Sequence, residues 1–473
     1  MTTAVVVGSG PNGLAAALTL AAAGVQVRVI EAADAVGGGV RSAELTVPGL
    51  VHDECSGFHP FATDSPFARA FDLAGAGLTW RWAEHELAHP LDGGGGAVLS
   101  RSVAATAAGL GDDGRSWQRL FGPLVERFGT ISEELLQPVL HVPRHPLHLA
   151  RFGAYAATPA TLLARRWQGE EARALFGGVA AHAYRPLDHP FSSAAGIALT
   201  AAAHAYGWPV AEGGSRAIAD AILTRAREYG VLVETGRRVE SLDELGQADL
   251  VLLDTAPGAA ARIIGDRLPG RVRRAYTAYR HGPAASKVDY AVVGGVPWTY
   301  EPARAAGTLH LGGTLAEMTA AEADTNAGRM PARPFVLVGQ QWLADPTRSV
   351  GDLHPLYAYA HVPHGYDGPD DPVVDAITAR IEQYAPGFHD RIVATFVRSA
   401  AGMAEHNVNY VGGDIATGAT HVRRLVFGPR VGLSPYATGV AGVYLCSAAT
   451  PPGAGAHGMP GHLAAQQALA GLG

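Results

Sequence analysis

Residues 4–31 read A-V-V-V-G-S-G-P-N-G-L-A-A-A-L-T-L-A-A-A-G-V-Q-V-R-V-I-E, and this stretch decides the fold. Val5 to Val7 form a short β-branched run suited to a buried parallel strand. Gly8, Gly10 and Gly13 follow at once as G-x-G-x-x-G, with Pro11 and Asn12 inside the loop. Leu14 to Ala23 is a charge-free helix former ended by Gly24, and Val25, Val27 and Val29 alternate into a second strand that leads to Glu31. This is the βαβ setting in which the glycine motif binds a dinucleotide. Gly8 permits the tight turn, Gly10 lets backbone amides approach a pyrophosphate, and Gly13 lets the helix lie close to the strand. The helix N-terminus faces the phosphate charge, and Glu31 stands where a carboxylate takes a ribose 2′-OH.

Shortly after Glu31 comes G-G-x-x-R, formed by Gly37, Gly38 and Arg41. With this addition the N-terminus resembles flavoproteins of the amine oxidase and phytoene desaturase superfamily. The resemblance implies that the backbone at Gly38 passes the pyrophosphate of FAD a second time and that Arg41 balances its charge. An NADP enzyme more often places a basic residue near the ribose, whereas Glu31 is followed by Ala32 and Ala33. FAD is therefore the expected cofactor. The same likeness puts the small residues Ser56 and Gly57 beside the flavin ring, with His59 as a candidate pocket residue.

A chain of 473 residues is long for one core, so two domains are expected. Only 17% of the residues are charged and the formal net charge is −7, which excludes a basic nucleic-acid surface. Cys55 and Cys446, the two cysteines, lack metal or redox spacing and fit a reducing compartment. The first strand begins almost at once with no charged leader before it, and a cytoplasmic protein is expected. Two stretches, 190–211 and 431–473, hold no Asp, Glu, Lys or Arg. Both are interrupted by Gly, Pro, Ser, Thr and His, so burial around a cofactor is expected rather than a membrane span. Peripheral membrane contact stays open.

Further along, residues 135–206 are mostly helical in pattern and rich in Leu, Phe, Tyr and Trp, as a cap over a ligand cavity would be. Ser215 is placed to cap the helix that runs to Tyr229. Gly230 ends that helix, Val231 to Glu234 starts a strand, and Ala248–Asp254 is a second hydrophobic strand. Residues 271–345 turn strand-rich, and a helix is expected from about Val373 to Tyr384. The expected architecture is α/β. A discontinuous Rossmann-like FAD-binding domain is assembled from 1–75, 207–270 and 425–473, and a mixed-sheet substrate domain with a helical cap from 76–206 and 271–424. In similar flavoproteins the valine matching Val239 holds the adenine edge through its backbone.

Two features point to chemistry. Lys287 is the sole lysine of the chain, every other member of the 36 Lys and Arg residues being arginine. A buried lysine can lose its proton and offers a compact head group that arginine lacks. In amine oxidases a similarly placed strand lysine holds a water against flavin N5, and the resemblance implies a catalytic role for Lys287. The second feature is Val443 to Ala465, V-Y-L-C-S-A-A-T-P-P-G-A-G-A-H-G-M-P-G-H-L-A-A. A strand, a Gly/Pro turn and a helix start are similar to the second FAD-contact motif of the superfamily. Amides near Gly458 and Met459 would there face flavin N1 and O2, where positive helix-end potential favours the reduced, anionic ring. His457 is the second catalytic candidate, in reach of substrate or flavin.

The resemblance extends over nearly the whole chain and is nearest to bacterial phytoene dehydrogenase-like FAD-dependent oxidoreductases. It implies a hydride moving between flavin and a mostly apolar small molecule, with a C–C double bond formed or saturated and oxygen or a quinone as candidate electron acceptor. Ser447 stands where many members have glycine, and Pro451 where carotenoid desaturases often have histidine. A flavin amine oxidase, a NAD(P)-dependent dehydrogenase and a non-catalytic FAD-bound interaction protein stay open as alternatives. His85-Glu86-Leu87-Ala88-His89 matches the H-E-x-x-H zinc motif. Pro90 and the Asp92–Gly96 turn follow at once, so a hairpin is expected there and no metal site.

Overall fold

The computed structural model describes residues 1–418, 428–430 and 434–472. Strand β1 (Thr3–Val7), helix α1 (Pro11–Ala22) and β2 (Gln26–Ile30) come first. The hairpin β3 (His85–Pro90) and β4 (Gly96–Leu99) precedes a helical stretch that ends in α2 (Glu170–Ala181) and α3 (Ser193–Ala205). Then follow α4 (Arg216–Glu228), β5 (Leu232–Glu234), β6 (Leu250–Leu253) and α5 (Pro257–Ile264). The long strand β7 (Ala284–Val293) leads to β8 (Ala306–Leu311), α6 (Leu315–Asn326), β9 (Val336–Gly339) and β10 (Leu353–Val362). Helix α7 (Asp370–Tyr384), β11 (Ile392–Arg398), α8 (Ala400–His406), β12 (Val443–Leu445) and α9 (Met459–Ala470) complete the order.

Two sheets organise these elements. The first is parallel throughout, in the order β12-β6-β1-β2-β5. Its strands come from three well-separated stretches, which makes the Rossmann-like unit discontinuous. Helix α1 has no charged residue, and its small side chains let α4 and α9 pack closely on it over a core of Leu14, Leu18 and Ile222. Burying such apolar side chains stabilises by about 1.5–3 kcal/mol each for the larger ones. The last segment assigned to this unit from sequence starts at 425, which lies outside the described residues.

The second sheet is mixed, in the order β11-β7-β10-β9-β8-β3-β4, with β8 and β3 parallel and the other pairs antiparallel. Alternation along its strands separates two kinds of face. Val288, Tyr290, Val336, Val338, Leu356 and Ala358 pack toward α7. Leu87, Leu337, Tyr357 and Tyr359 point the other way, into a core shared with Trp117, Phe121, Trp167 and Phe176 of the helical cap.

A buried arginine ties the two units together. Arg348 donates from Nη1 to Asp53 Oδ2 at 2.5 Å, from Nε to Asp345 Oδ2 at 3.0 Å and from Nη2 to the Ala211 carbonyl at 2.7 Å. Burial alone would raise the Asp53 carboxyl, but Arg348 and bonds from Ser215 N–H and the Ser42 hydroxyl hold it below the usual carboxylate range. Among the described residues no helix is long and apolar enough to cross a membrane.

Candidate active site

A cavity of about 940 Å³ runs from the glycine-rich loop to the cap-facing side of the second sheet. That is at the upper end of the roughly 300–1,000 Å³ that ligand pockets occupy. Gly8, Gly10, Pro11, Asn12, Glu31, Gly38, Arg41, Ser56, Gly57 and Val239 all line it. Gly13 does not line it and instead sits behind the loop, where a Cβ would overlap the Gly8 carbonyl oxygen. Gly13 thus allows the close approach of helix and strand. Gly38 takes φ +52°, and a Cβ there would press to 2.9 Å from Gly10 Cα, so the second glycine turn lies directly on the first.

The acidic residue at the end of β2 is held by the loop itself. Glu31 accepts from Ser9 N–H at 2.8 Å and from the Ser9 hydroxyl at 2.6 Å through one oxygen, and from Ala33 N–H at 2.8 Å through the other. Asp254, at the end of β6, accepts from Gly13 N–H at 2.9 Å. Its complete burial, with Glu31 adding repulsion, raises its carboxyl to about 7. Helix α1 begins at Gly10 with no side-chain cap and no acidic residue in its first turn. Pro11 brings no N–H and Gly13 N–H is taken by Asp254, so it is the uncapped N-terminal dipole, rather than a row of free amides, that suits an anion. Arg41 lines the cavity, and its guanidinium donates to the Gly38 carbonyl at 3.1 Å and to the His406 carbonyl at 2.9 Å. The residues present therefore fit the phosphates and ribose of a dinucleotide.

Other expected residues sit differently. Ser215 occupies the N-cap position of α4 but its hydroxyl makes no cap bond. It donates to the Ser56 carbonyl at 2.7 Å and pairs with His59 Nε2 at 2.9 Å, fixing the Ser56–Gly57 wall instead. Burial pushes His59 down to about 4. At the start of α9, Gly458, Met459 and His457 are buried and are not among the lining residues; Ser447, Ala448 and Ala454 to Ala456 are. His457 accepts from Met459 N–H at Nδ1 (3.2 Å), and burial holds it neutral with a pKa of about 4.

Lys287 is buried on β7 and is likewise absent from the lining. Its ammonium pairs with Asp289 and lies 4.6 Å from the centre of the Tyr357 ring. Tyr357 does line the cavity and donates to the Cys55 carbonyl at 2.8 Å. The lysine thus stands one layer back, behind an aromatic ring that braces the Cys55–Gly57 wall. His85-Glu86-Leu87-Ala88-His89 forms β3, paired with β4 in the expected hairpin. Glu86 accepts from Trp208 N–H at 2.6 Å, and His89 bonds the Gly313 carbonyl at 2.8 Å.

Several lining residues carried no sequence expectation. They are Asp254, the 405–410 segment after β11, and a wall of His182, Tyr184, Tyr357 and Tyr359. P-L-Y-A-Y-A-H-V at 355–362 does show the period of two that puts both tyrosines on one face.

The glycine loop, the acid at the end of β2 and the parallel sheet identify the first unit. Residues 6–75 match the NAD(P)-binding Rossmann-like domain. No curated protein matches the chain in sequence. Among solved structures it is similar to an oxidoreductase from Methanosarcina mazei, at 16% identity and a TM-score of 0.63, covering 99% of this chain and 100% of that one. Putrescine oxidase bound to putrescine gives 18% identity and a TM-score of 0.61, covering 99% of each chain. Cyclohexylamine oxidase from Brevibacterium oxydans gives 17% and 0.56, covering 99% of this chain and 98% of that one. At these identities the likeness establishes a shared fold.

Proposed function

We propose that the protein is an FAD-dependent oxidoreductase that moves a hydride between flavin and a mostly apolar small molecule, forming or saturating a C–C double bond. The carrying observation is that one cavity joins the dinucleotide loop to an aromatic wall on the second sheet. A ligand held by its phosphates at one end can therefore present its reactive end to a substrate at the other. FAD, when bound, supplies the hydride chemistry. The protein's own residues bind and orient. Gly8 to Asn12 and the α1 N-terminus hold phosphate, Glu31 the ribose, Gly38 and Arg41 the second phosphate approach, and Val239 the adenine edge. Ser56, Gly57 and the 454–456 turn bound the ring end, and the buried aromatic wall excludes water.

A second reading, amine oxidation, is favoured by the fold shared with putrescine oxidase and cyclohexylamine oxidase. The main reading is tested by the absorption spectrum of the purified protein before and after acid release of small molecules. A flavin spectrum that leaves with the supernatant is expected. A colourless protein that takes up no added FAD overturns the proposal.

A further inference from the structure

Residues 135–169 of the helical cap hold four arginines and neither Asp nor Glu, in a chain whose formal net charge is −7. The same stretch leaves apolar side chains in water. Val142 is 91% exposed and Leu147 83%, above every other large apolar side chain among the described residues except that of Met1. Val139 and Leu140 beside them are exposed as well.

A braced loop holds these side chains outward. Pro138, Pro143 and Pro146 stiffen it. Glu134, buried in the preceding helix, accepts from His145 N–H at 2.8 Å and pairs with His141. His141 Nδ1 donates in turn to the Pro138 carbonyl at 2.7 Å. One carboxylate thus pins both sides of the turn. The helix Pro146–Ala156 follows and buries Phe152 and Ala156. Leu147, Ala150, Arg151 and Ala154, spaced by three and four residues, share its exposed face.

Positive charge surrounds the apolar tips. Arg144 and Arg151 are exposed, and Arg166 lies over the Tyr155 ring, 5.6 Å from its centre. Arg127, His148 and Arg151 line a depression of about 230 Å³, with Glu126 as the carboxylate among its described lining residues. The neighbouring acids are engaged, Glu133 by Arg69 at 2.7 Å and Glu134 by the loop.

This pairing of charge and apolar surface selects the occupant. A second copy seated symmetrically would set arginine against arginine, with no acid of 135–169 to pair them. Protein partners are held best by aromatic anchors in closed pockets, whereas these tips are aliphatic and almost free of neighbours. A bilayer supplies both complements, hydrocarbon for the valines and leucines and anionic headgroups for the arginines. Among the described residues no helix is long and apolar enough to cross a membrane, so such contact is peripheral.

We propose that the 138–151 face of the cap docks on an anionic lipid surface. Val139, Leu140, Val142 and Leu147 enter below the headgroups, and Arg144 and Arg151 meet the lipid phosphates. This goes beyond the cofactor reading and stands without it.

The test sediments the purified full-length protein with vesicles of phosphatidylcholine alone or with about 30% phosphatidylserine. Binding should be roughly tenfold or more tighter to the anionic vesicles. It should fall by roughly tenfold or more when salt rises from about 0.1 M to about 0.5 M and shortens the screening length. Val142→Asp/Leu147→Asp should abolish binding, and Arg144→Glu/Arg151→Glu should weaken it by roughly tenfold or more. Val393→Asp, at an exposed apolar position on β11, should change nothing. Melting curves check that each variant folds, and the two vesicle types compared on the wild type decide the matter without any variant. No sedimentation with anionic vesicles, equal binding to both types, or binding unchanged by Val142→Asp/Leu147→Asp overturns the proposal. Light scattering tests the rival occupant. A dimer that ignores vesicles and is dissociated by Val142→Asp/Leu147→Asp would assign the face to a second copy and overturn the lipid. Flavin absorbance is read on the same samples. Vesicle binding by a protein that takes up no flavin would sustain this surface and overturn the cofactor reading alone.

Discussion

Asp254 reaches from the end of β6 to the backbone of a loop 241 residues away. Its carboxyl is held near 7 in the folded chain against an ordinary value of 3.8. Between those values the native protein keeps a proton that the unfolded chain has lost. Stability from this group is therefore complete below about pH 4 and declines as the pH rises to about 7, by roughly 4 kcal/mol in all. Burial raises Glu86 to about 7 as well and adds a slope of the same sign. Asp254→Asn keeps an acceptor for Gly13 N–H while removing the titration. The melting temperature of flavin-free Asp254→Asn should fall less than that of the wild type between pH 5 and pH 8; equal falls would show that Asp254 does not titrate in this window. Gly13→Ala, by contrast, forces a methyl onto the Gly8 carbonyl. It should cost about 1–3 kcal/mol in urea unfolding and yield protein purified with little or no flavin. Retention of full flavin content would separate loop geometry from cofactor binding.

At the scale of the element, β7 and β10 show what alternation does when one face is polar. Their register sets Lys287 opposite Tyr359 and Asp289 opposite Tyr357. Lys287, Asp289 and His52 are all buried, and Asp289 Oδ1 lies 3.3 Å from His52 Nδ1. Lys287→Met would leave the Asp289 carboxylate buried without its cation, a loss of about 3–5 kcal/mol. Lys287→Met/Asp289→Leu should recover most of it in the same unfolding experiment; a double variant no more stable than the single one would refute the ion pair as the cause.

The elements also show what could be read from sequence. The βαβ start was legible because its strand, glycines, helix and acid are contiguous, so local chemistry alone specifies it. The 85–90 hairpin was legible for the same reason, since Pro90 and the glycine turn stand beside it. The position of Lys287 behind Tyr357 was not, because cross-strand register joins residues far apart in the chain and a period of two names a face without naming its neighbour. The hydroxyl of Ser215 was misplaced for a related reason. A cap is a local rule, whereas the Ser56 carbonyl that claims this hydroxyl arrives from 159 residues away.

Over the whole molecule, the cavity lies between two units joined through Arg348, Asp53 and Asp345. A ligand that fills it binds the native chain and not the unfolded one. On the proposed reading that ligand is FAD, and at free FAD about a thousandfold over its Kd the stabilisation is roughly 4 kcal/mol. Stripping FAD should therefore lower the melting temperature, and adding it back should restore the original value. An apo protein that melts with the holo form would place the cofactor outside the folded core. The presence of a Rossmann-like unit and of a mixed sheet was legible from the fingerprint at one end and the strand-rich middle, but the strand order was not. Nor was the way the cavity closes, because the 405–410 segment and the 454–456 turn reach it only through tertiary packing.

The parallel sheet and its helices have a temporal consequence. Thr19 on α1 bonds His462 on α9, a partner 443 residues downstream. A ribosome adding about 5–20 residues per second needs roughly 20 to 90 s to deliver it. Throughout that interval α1 has been synthesised without the surface that covers it, and strand β6 waits for β12. The nucleotide unit, begun at β1 and α1, is thus completed only when β12 and α9 arrive. Nascent chains should depend on chaperones for as long as α1 remains uncovered, and cofactor should be captured only after α9 has emerged.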